Sequence, residues 1–355
     1  MKLSAYTLAL LEDLERRIDP EVEDDLHDQW KSYWENRCKD VIFIPMRKKI
    51  TSAGVELKNI NINDAIDNYE LMLQSELIGA SKRLSGVGNV PCVRSNYGTG
   101  IMTSLFGTEL FMMPYEMNTL PTTRSLNDSD AVRRILEAGA PDLQCGFGRK
   151  VFEMGEIYAD VFSKYPKIQK YVYVYHPDTQ GPLDVAELLW GGEMFYEMYD
   201  DPDFVHSVLH LITDTYKRFL DHWYTIIPRR EGLSCHWGWL HPGTVMIRND
   251  SAMNLSPDMY NEFAFPYDNE LLNYYGGGCV HFCGKGDHYI GVLAKAPLLY
   301  GIHMSQPEYN DLDKVFKAVH ENGKHLLSLK DVACEEYIKR PDAVPSVIHG
   351  ALKKK

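Results

Sequence analysis

The run Gly278-Cys279-Val280-His281-Phe282-Cys283-Gly284 holds the residue types best suited to chemistry. Residues two apart on a β-strand share a face. His281 and Cys283 are therefore expected to point the same way, about 7 Å apart along the strand and closer once their side chains converge. Imidazole with thiolate is a zinc-type donor pair. Gly284 is expected to end the strand, which puts both residues at its C-terminal end. Cys279 shares their parity but lies roughly 13 Å below Cys283, so core packing is its expected role. A catalytic zinc needs a third protein ligand and an open position. Cys334, in Asp331-Val332-Ala333-Cys334 beyond the last expected strand, is the first candidate. Glu308 and His236 are the alternatives, with Asp331 behind them. A buried cysteine beside a hydrogen-bonded histidine would give the same pattern without metal, so context has to decide.

Two further stretches read as pocket walls. Ser234 to Gly243 supplies His236, Trp237, Trp239 and His241, an aromatic wall for a substrate. Arg248 and Asp250 follow; they either orient polar substrate groups or pair with each other. In Arg94-Ser95-Asn96-Tyr97-Gly98-Thr99-Gly100, Asn96 and Tyr97 are candidate substrate contacts, a capped surface turn being the plain alternative. Gly284-Lys285-Gly286 is a weaker candidate for holding an anion at a helix start. His288 in the same loop reads as a cap or a substrate contact. No Gly-x-Ser-x-Gly elbow and no phosphate-binding Gly-x4-Gly-Lys-Ser/Thr loop is found in the sequence. His206 and His210 have helical spacing, but the glutamate of a zinc-protease motif does not follow His206.

Short apolar runs alternating with helical stretches must position these residues. The expected strands are 41–44, 90–93, 171–175, 233–236, 279–283, 299–303 and 326–329, with 245–247 or 143–147 as an eighth. The expected helices are 64–84, 130–138, 185–198, 203–224, 258–274, 289–296 and 312–321. Ser256-Pro257 gives one of them an N-cap with proline at the first position. Alternation of this kind predicts parallel βα units. No Gly-rich dinucleotide fingerprint follows the first strand, which disfavours an open doubly wound sheet. The fold class expected is α/β: a (β/α)8 TIM barrel over residues 40–355, with residues 1–39 as an N-terminal helical layer in the same domain. Active sites of such barrels sit at the C-terminal strand ends.

The chain has 355 residues, 45% of them hydrophobic and 25% charged, which excludes wholesale disorder. A net charge of −13 argues against nucleic acid and anionic membrane surfaces as partners. No apolar stretch approaches the ~20 residues of a membrane span. Seven dispersed cysteines, with no secretory leader at the start, point to reduced thiols and a cytoplasmic location.

Gly181-Pro182-Leu183-Asp184-Val185-Ala186-Glu187-Leu188-Leu189-Trp190-Gly191-Gly192 resembles the central region of the uroporphyrinogen decarboxylase superfamily. Ser256-Pro257-Asp258-Met259-Tyr260 with Phe263, Pro266 and Tyr267 resembles another of its segments. His281-x-Cys283-Gly284 is similar to the zinc motif of its corrinoid-dependent methyltransferase branch. The resemblance spans about residues 85–350. It implies a (β/α)8 barrel, Zn²⁺ on the catalytic residues His281 and Cys283, and Cys334 as the cysteine ligand, although the usual Pro-Gly-Cys context is missing there. It also implies a small methylated substrate and a cobalamin carried by a separate corrinoid protein; self-association is left open. Trp237, Trp239 and Tyr97 favour an aromatic or apolar methyl donor, such as an O-methyl aromatic, over methanol. The Arg-Gln-Ala-Gly-Arg pattern of true tetrapyrrole decarboxylases is absent near Arg47. Two competing expectations remain: a decarboxylase or lyase of a small acid using Arg248 or Arg94 as a clamp, and a non-catalytic barrel that binds a corrinoid protein.

Overall fold

A computed structural model describes residues 2–350. Its strands are β1 (Ile42–Phe43), β2 (Cys92–Val93), β3 (Leu110–Phe111), β4 (Thr122–Thr123), β5 (Tyr173–Val174), β6 (Ser234–His236), β7 (Trp239–His241), β8 (Val245–Arg248), β9 (Gly278–Phe282), β10 (Leu299–Met304), β11 (His325–Leu329) and β12 (Ile348–Gly350). Six of them form one parallel sheet in the order β1-β12-β11-β10-β9-β8. The last strand thus lies against the first. β2 and β5 make a second parallel pair, while β3–β4 and β6–β7 are antiparallel hairpins. The fold is mixed α/β around this six-stranded sheet.

Alternation along the strands sorts the core into two faces. Val245, Ile247, Val280, Phe282 and Ile302 join the large cluster packed under the helices. Met246, Cys279, Leu327 and Phe43 face the opposite way, against Leu26, Trp30 and Tyr33 of the Pro20–Trp34 helix and against Cys235 and Leu240 of the β6–β7 hairpin. That second face carries His281 and Arg248. The N-terminal layer is two helices, Ala5–Arg17 and Pro20–Trp34, broken at the expected Pro20. Tyr33 ties it to the sheet by donating to the carbonyls of Leu326 and Val347.

Several elements differ from expectation for identifiable reasons. The stretch 233–236 is not a member of the main sheet; Trp237 and Gly238, both at positive φ (52° and 88°), turn it back as a hairpin. Its place in the sheet belongs to β8, while 143–147 is turn. β12, only three residues long, is an added strand. The expected helix 64–84 breaks at Asn68, whose side chain caps Glu70 and Leu71. Gly191 at φ 91° ends Pro182–Trp190 short of the expected 198. Four helices were not anticipated: Ile101–Leu105, Gly148–Phe162, Pro166–Tyr171 and Asp331–Ile338. No helix among the described residues is long and apolar enough to cross a membrane, and no disulfide joins the described cysteines.

Candidate metal centre

β8, β9 and β10 run side by side in register, pairing Arg248 with His281 and His281 with His303. The residues just beyond these ends are Asp250, Cys283 and Ser305. Because the strands are parallel, three consecutive ends deliver their side chains to one place. Asp250, His281 and Cys283 meet there, each offering one donor atom within 4.8 Å of the others. His281 is buried and its two neighbours half-buried. His281 Nε2 lies 3.4 Å from Cys283 Sγ and 3.5 Å from Asp250 Oδ1.

Local bonds hold the trio. Asp250 Oδ1 accepts the Cys283 backbone N–H at 2.6 Å, which clamps the two strand ends together. Asp184, in the Pro182–Trp190 helix, accepts the N–H groups of Asp250 and Ser251 and so shapes the turn after β8. Ser305 donates to Cys283 Sγ at 3.1 Å. His281 Nδ1 lies 2.7 Å from His303 Nδ1, and the Trp237 ring stands edge-on to His281 at 5.1 Å. Gly284 has φ 73°, and a Cβ there would sit 2.8 Å from Met253 Sδ, so the turn out of β9 requires glycine.

Burial sets the charge states. It pushes His281 down to about 3, assisted by the Arg248 charge, so the imidazole is neutral and its 3.5 Å approach to Asp250 is not an ion pair. Burial lifts the Cys283 thiol to about 11 against the Ser305 bond. Asp250 is raised by burial, and Asp184 is lifted to about 8 by burial and then by Asp250. Chemically this is a nitrogen, a sulfur and an oxygen donor around one point. A tetrahedral zinc with bonds of ~2.0–2.3 Å separates its ligands by roughly 3.3–3.8 Å. The 3.4 and 3.5 Å spacings fit that requirement.

The third-ligand candidates lie elsewhere. Cys334 sits on the Asp331–Ile338 helix, its buried thiol donating to the Leu329 carbonyl at 3.2 Å. An expected loop is a helix here, and its packing turns the sulfur into the core. Glu308 is exposed and pairs with Lys330. His236 is buried in the β6–β7 hairpin, 2.7 Å from His241. Asp250, expected as a substrate contact, completes the group that could hold an ion. Arg248 does not pair with it; Arg248 and Arg94 both bind Asp178, at 2.7 and 3.2 Å. Asn96 donates to Glu76, and Tyr97 packs in the core against Phe147. The N–H groups of Gly284, Gly286 and Asp287 are taken by the side chains of Gln306 and Asn310, which fills the expected anion cradle from within. His288 Nε2 bonds the Leu255 carbonyl at 2.9 Å.

Sequence reasoning passed over His303 and Ser305. A signal existed: they repeat, one strand later, the i, i+2 spacing of His281 and Cys283. Trp239 contacts His303 at 4.6 Å and also lines a cleft of about 500 Å³ with Ile44, Pro45, Lys82, Arg83 and His349 among others.

No family model matches the sequence, and no curated protein is similar to it. Among solved structures the chain is similar to a methyltransferase from Methanosarcina mazei, with a TM-score of 0.61, 14% identity, and coverage of 92% of this chain and 93% of that one. At that identity the likeness speaks to the fold alone.

Proposed function

We propose that the chain is a zinc-dependent methyltransferase, moving a methyl group between a small methylated substrate and a cobalamin on a separate corrinoid protein. The observation that carries this reading is the meeting of Asp250, His281 and Cys283 at adjoining strand ends. The structural neighbour, itself a methyltransferase by name, points the same way. So does the resemblance of the His281-x-Cys283 run to the methyltransferase branch of the uroporphyrinogen decarboxylase superfamily. In this reading the two parallel sheets are arcs of one (β/α)8 barrel. The pairing of β1 with β12 supports closure, and the bond from Met246 N–H to His176 Nε2 spans the seam between β5 and β8.

Asp250, His281 and Cys283 would hold the ion. Bound zinc would supply Lewis acidity toward the heteroatom that carries or receives the methyl group. The chain's own residues prepare that site. Burial keeps His281 neutral, so it has a lone pair to offer. Ser305, donating to Cys283 Sγ, favours the thiolate that ligation requires. The clamp between Asp250 and the Cys283 N–H fixes the spacing of two donors from different strands. Trp239, on the wall of the cleft, offers an apolar face to a methyl donor. Against the acid-clamp alternative, Arg94 and Arg248 both pair with Asp178.

Metal analysis of the purified chain tests the reading. About one zinc per chain is expected, and its loss in both His281→Ala and Cys283→Ala, together with loss of methyl transfer to an added corrinoid protein. Full zinc content in both variants refutes the assignment.

A further inference from the structure

The His281–His303 contact holds more information than its distance. Two imidazole nitrogens 2.7 Å apart must share one proton, because two lone pairs or two N–H groups would repel. On the far side of the His281 ring, Nε2 faces Cys283 Sγ at 3.4 Å, and Ser305 O–H donates to that same sulfur. Nε2 is the ring nitrogen grouped with Cys283 Sγ and Asp250 Oδ1, so as a metal ligand it offers its lone pair there. The proton of the neutral ring then sits on Nδ1. His303 Nδ1 must therefore receive it.

The rings are locked in this arrangement. His281 and His303 stack at 4.8 Å and 27°, Trp237 stands edge-on to His281, and Trp239 presses on His303 at 4.6 Å. The β9–β10 register places the two histidines directly opposite each other.

We propose that His303 is the positioning residue of the centre: its Nδ1 accepts the His281 Nδ1 proton, holding His281 in the tautomer whose Nε2 lone pair faces Cys283 and Asp250. The proposal rests on reading the trio as a metal site. It follows that His303 carries its own hydrogen on Nε2. An outer partner of a metal-bound histidine typically changes metal affinity by about 10–100-fold.

The test uses the full chain in three forms: wild type, His303→Leu and His303→Asn. The first variant removes the acceptor and the second keeps one. Zinc affinity, read by competition with a chromophoric chelator, is expected to fall about 10–100-fold in His303→Leu and to stay within about threefold of wild type in His303→Asn. The Co²⁺-loaded absorption spectrum should shift in the leucine variant alone. Equal affinity in wild type and His303→Leu overturns the proposal, provided that circular dichroism shows both folded. Long-range ¹H–¹⁵N spectra of the metal-free, ¹⁵N-histidine-labelled chain give a second readout that does not depend on metal. A proton on His281 Nδ1 is expected; a proton on Nε2 overturns the assignment. A wild-type chain that takes up no zinc refutes the metal reading instead, and the tautomer spectrum then decides the role of His303 on its own.

Discussion

Asp250 joins two strands and a candidate metal with one carboxyl group. Oδ1 accepts the Cys283 N–H and also lies 3.5 Å from His281 Nε2. Asp250→Asn keeps an oxygen for the N–H but removes the anionic ligand. Zinc affinity should fall by more than about 100-fold, beyond the effect of losing an outer partner, with little change in thermal midpoint; chelator competition on the metal-loaded chain measures it. Cys334→Ser should leave zinc content unchanged, since that sulfur is spent on the Leu329 carbonyl. If it empties the site, Cys334 is a ligand after all. The His281/Cys283 pair was legible because a strand has a side-chain period of two, which needs no tertiary knowledge. Asp250 was legible only as a polar residue near a strand end. What assigns it to the centre is the β8–β9 register, and register comes from packing across the whole sheet.

At the scale of elements, the site depends on how β9 is left. Gly284 turns with positive φ against Met253, and Asn310 then holds the loop by donating to the Gly284 carbonyl and accepting from Gly286 and Asp287. Gly284→Ala puts a Cβ 2.8 Å from the Met253 sulfur in a backbone region that L-residues avoid. The expected loss is about 1–3 kcal/mol of stability, with weaker zinc binding because Cys283 is the adjacent residue. Denaturant titration and chelator competition on the same preparation check both halves, and an unchanged midpoint counts against the argument. The glycine signal was readable in advance; the loop's dependence on Asn310, 24 residues beyond Gly286, was not. The same contrast runs through the elements. Strands 279–283 and 299–303 were legible as apolar, bounded runs. The β6–β7 hairpin was not, because a Trp-Gly turn lacks the Asn-Gly or Asp-Gly signature. The Asp331–Ile338 helix was missed as well; it holds Cys334, offered as a ligand by its place after the last strand and by the resemblance, with its thiol toward the Leu329 carbonyl.

The whole molecule concentrates histidine inside itself, and that decides how it responds to acid. Apart from the metal centre, His176, His236, His241, His325 and His349 are all buried and held neutral: burial pushes His176 and His349 down to about 3, His241 and His325 to about 4, and His236 far below its usual value. Above about pH 7.5 these rings are neutral in both folded and unfolded chains and contribute almost no pH dependence. Below it the unfolded chain takes up protons that the folded chain refuses, so each ring removes up to about 1.4 kcal/mol of stability per pH unit down to its folded value. Buried acids act in the opposite sense. Glu76, Asp184 and Asp268 are raised by burial, so near pH 5 the folded chain tends to keep protons that the unfolded chain has lost. The buried histidines outnumber the raised buried acids, so the net effect of acid between about pH 6 and 4.5 is a loss of stability. Urea unfolding of the metal-free chain at pH 6.0, 5.2 and 4.5 should therefore give midpoints that fall as the pH drops. Midpoints that hold steady to pH 4.5 would mean that the histidines are not the neutral, buried groups on which the packing around β6–β7 depends.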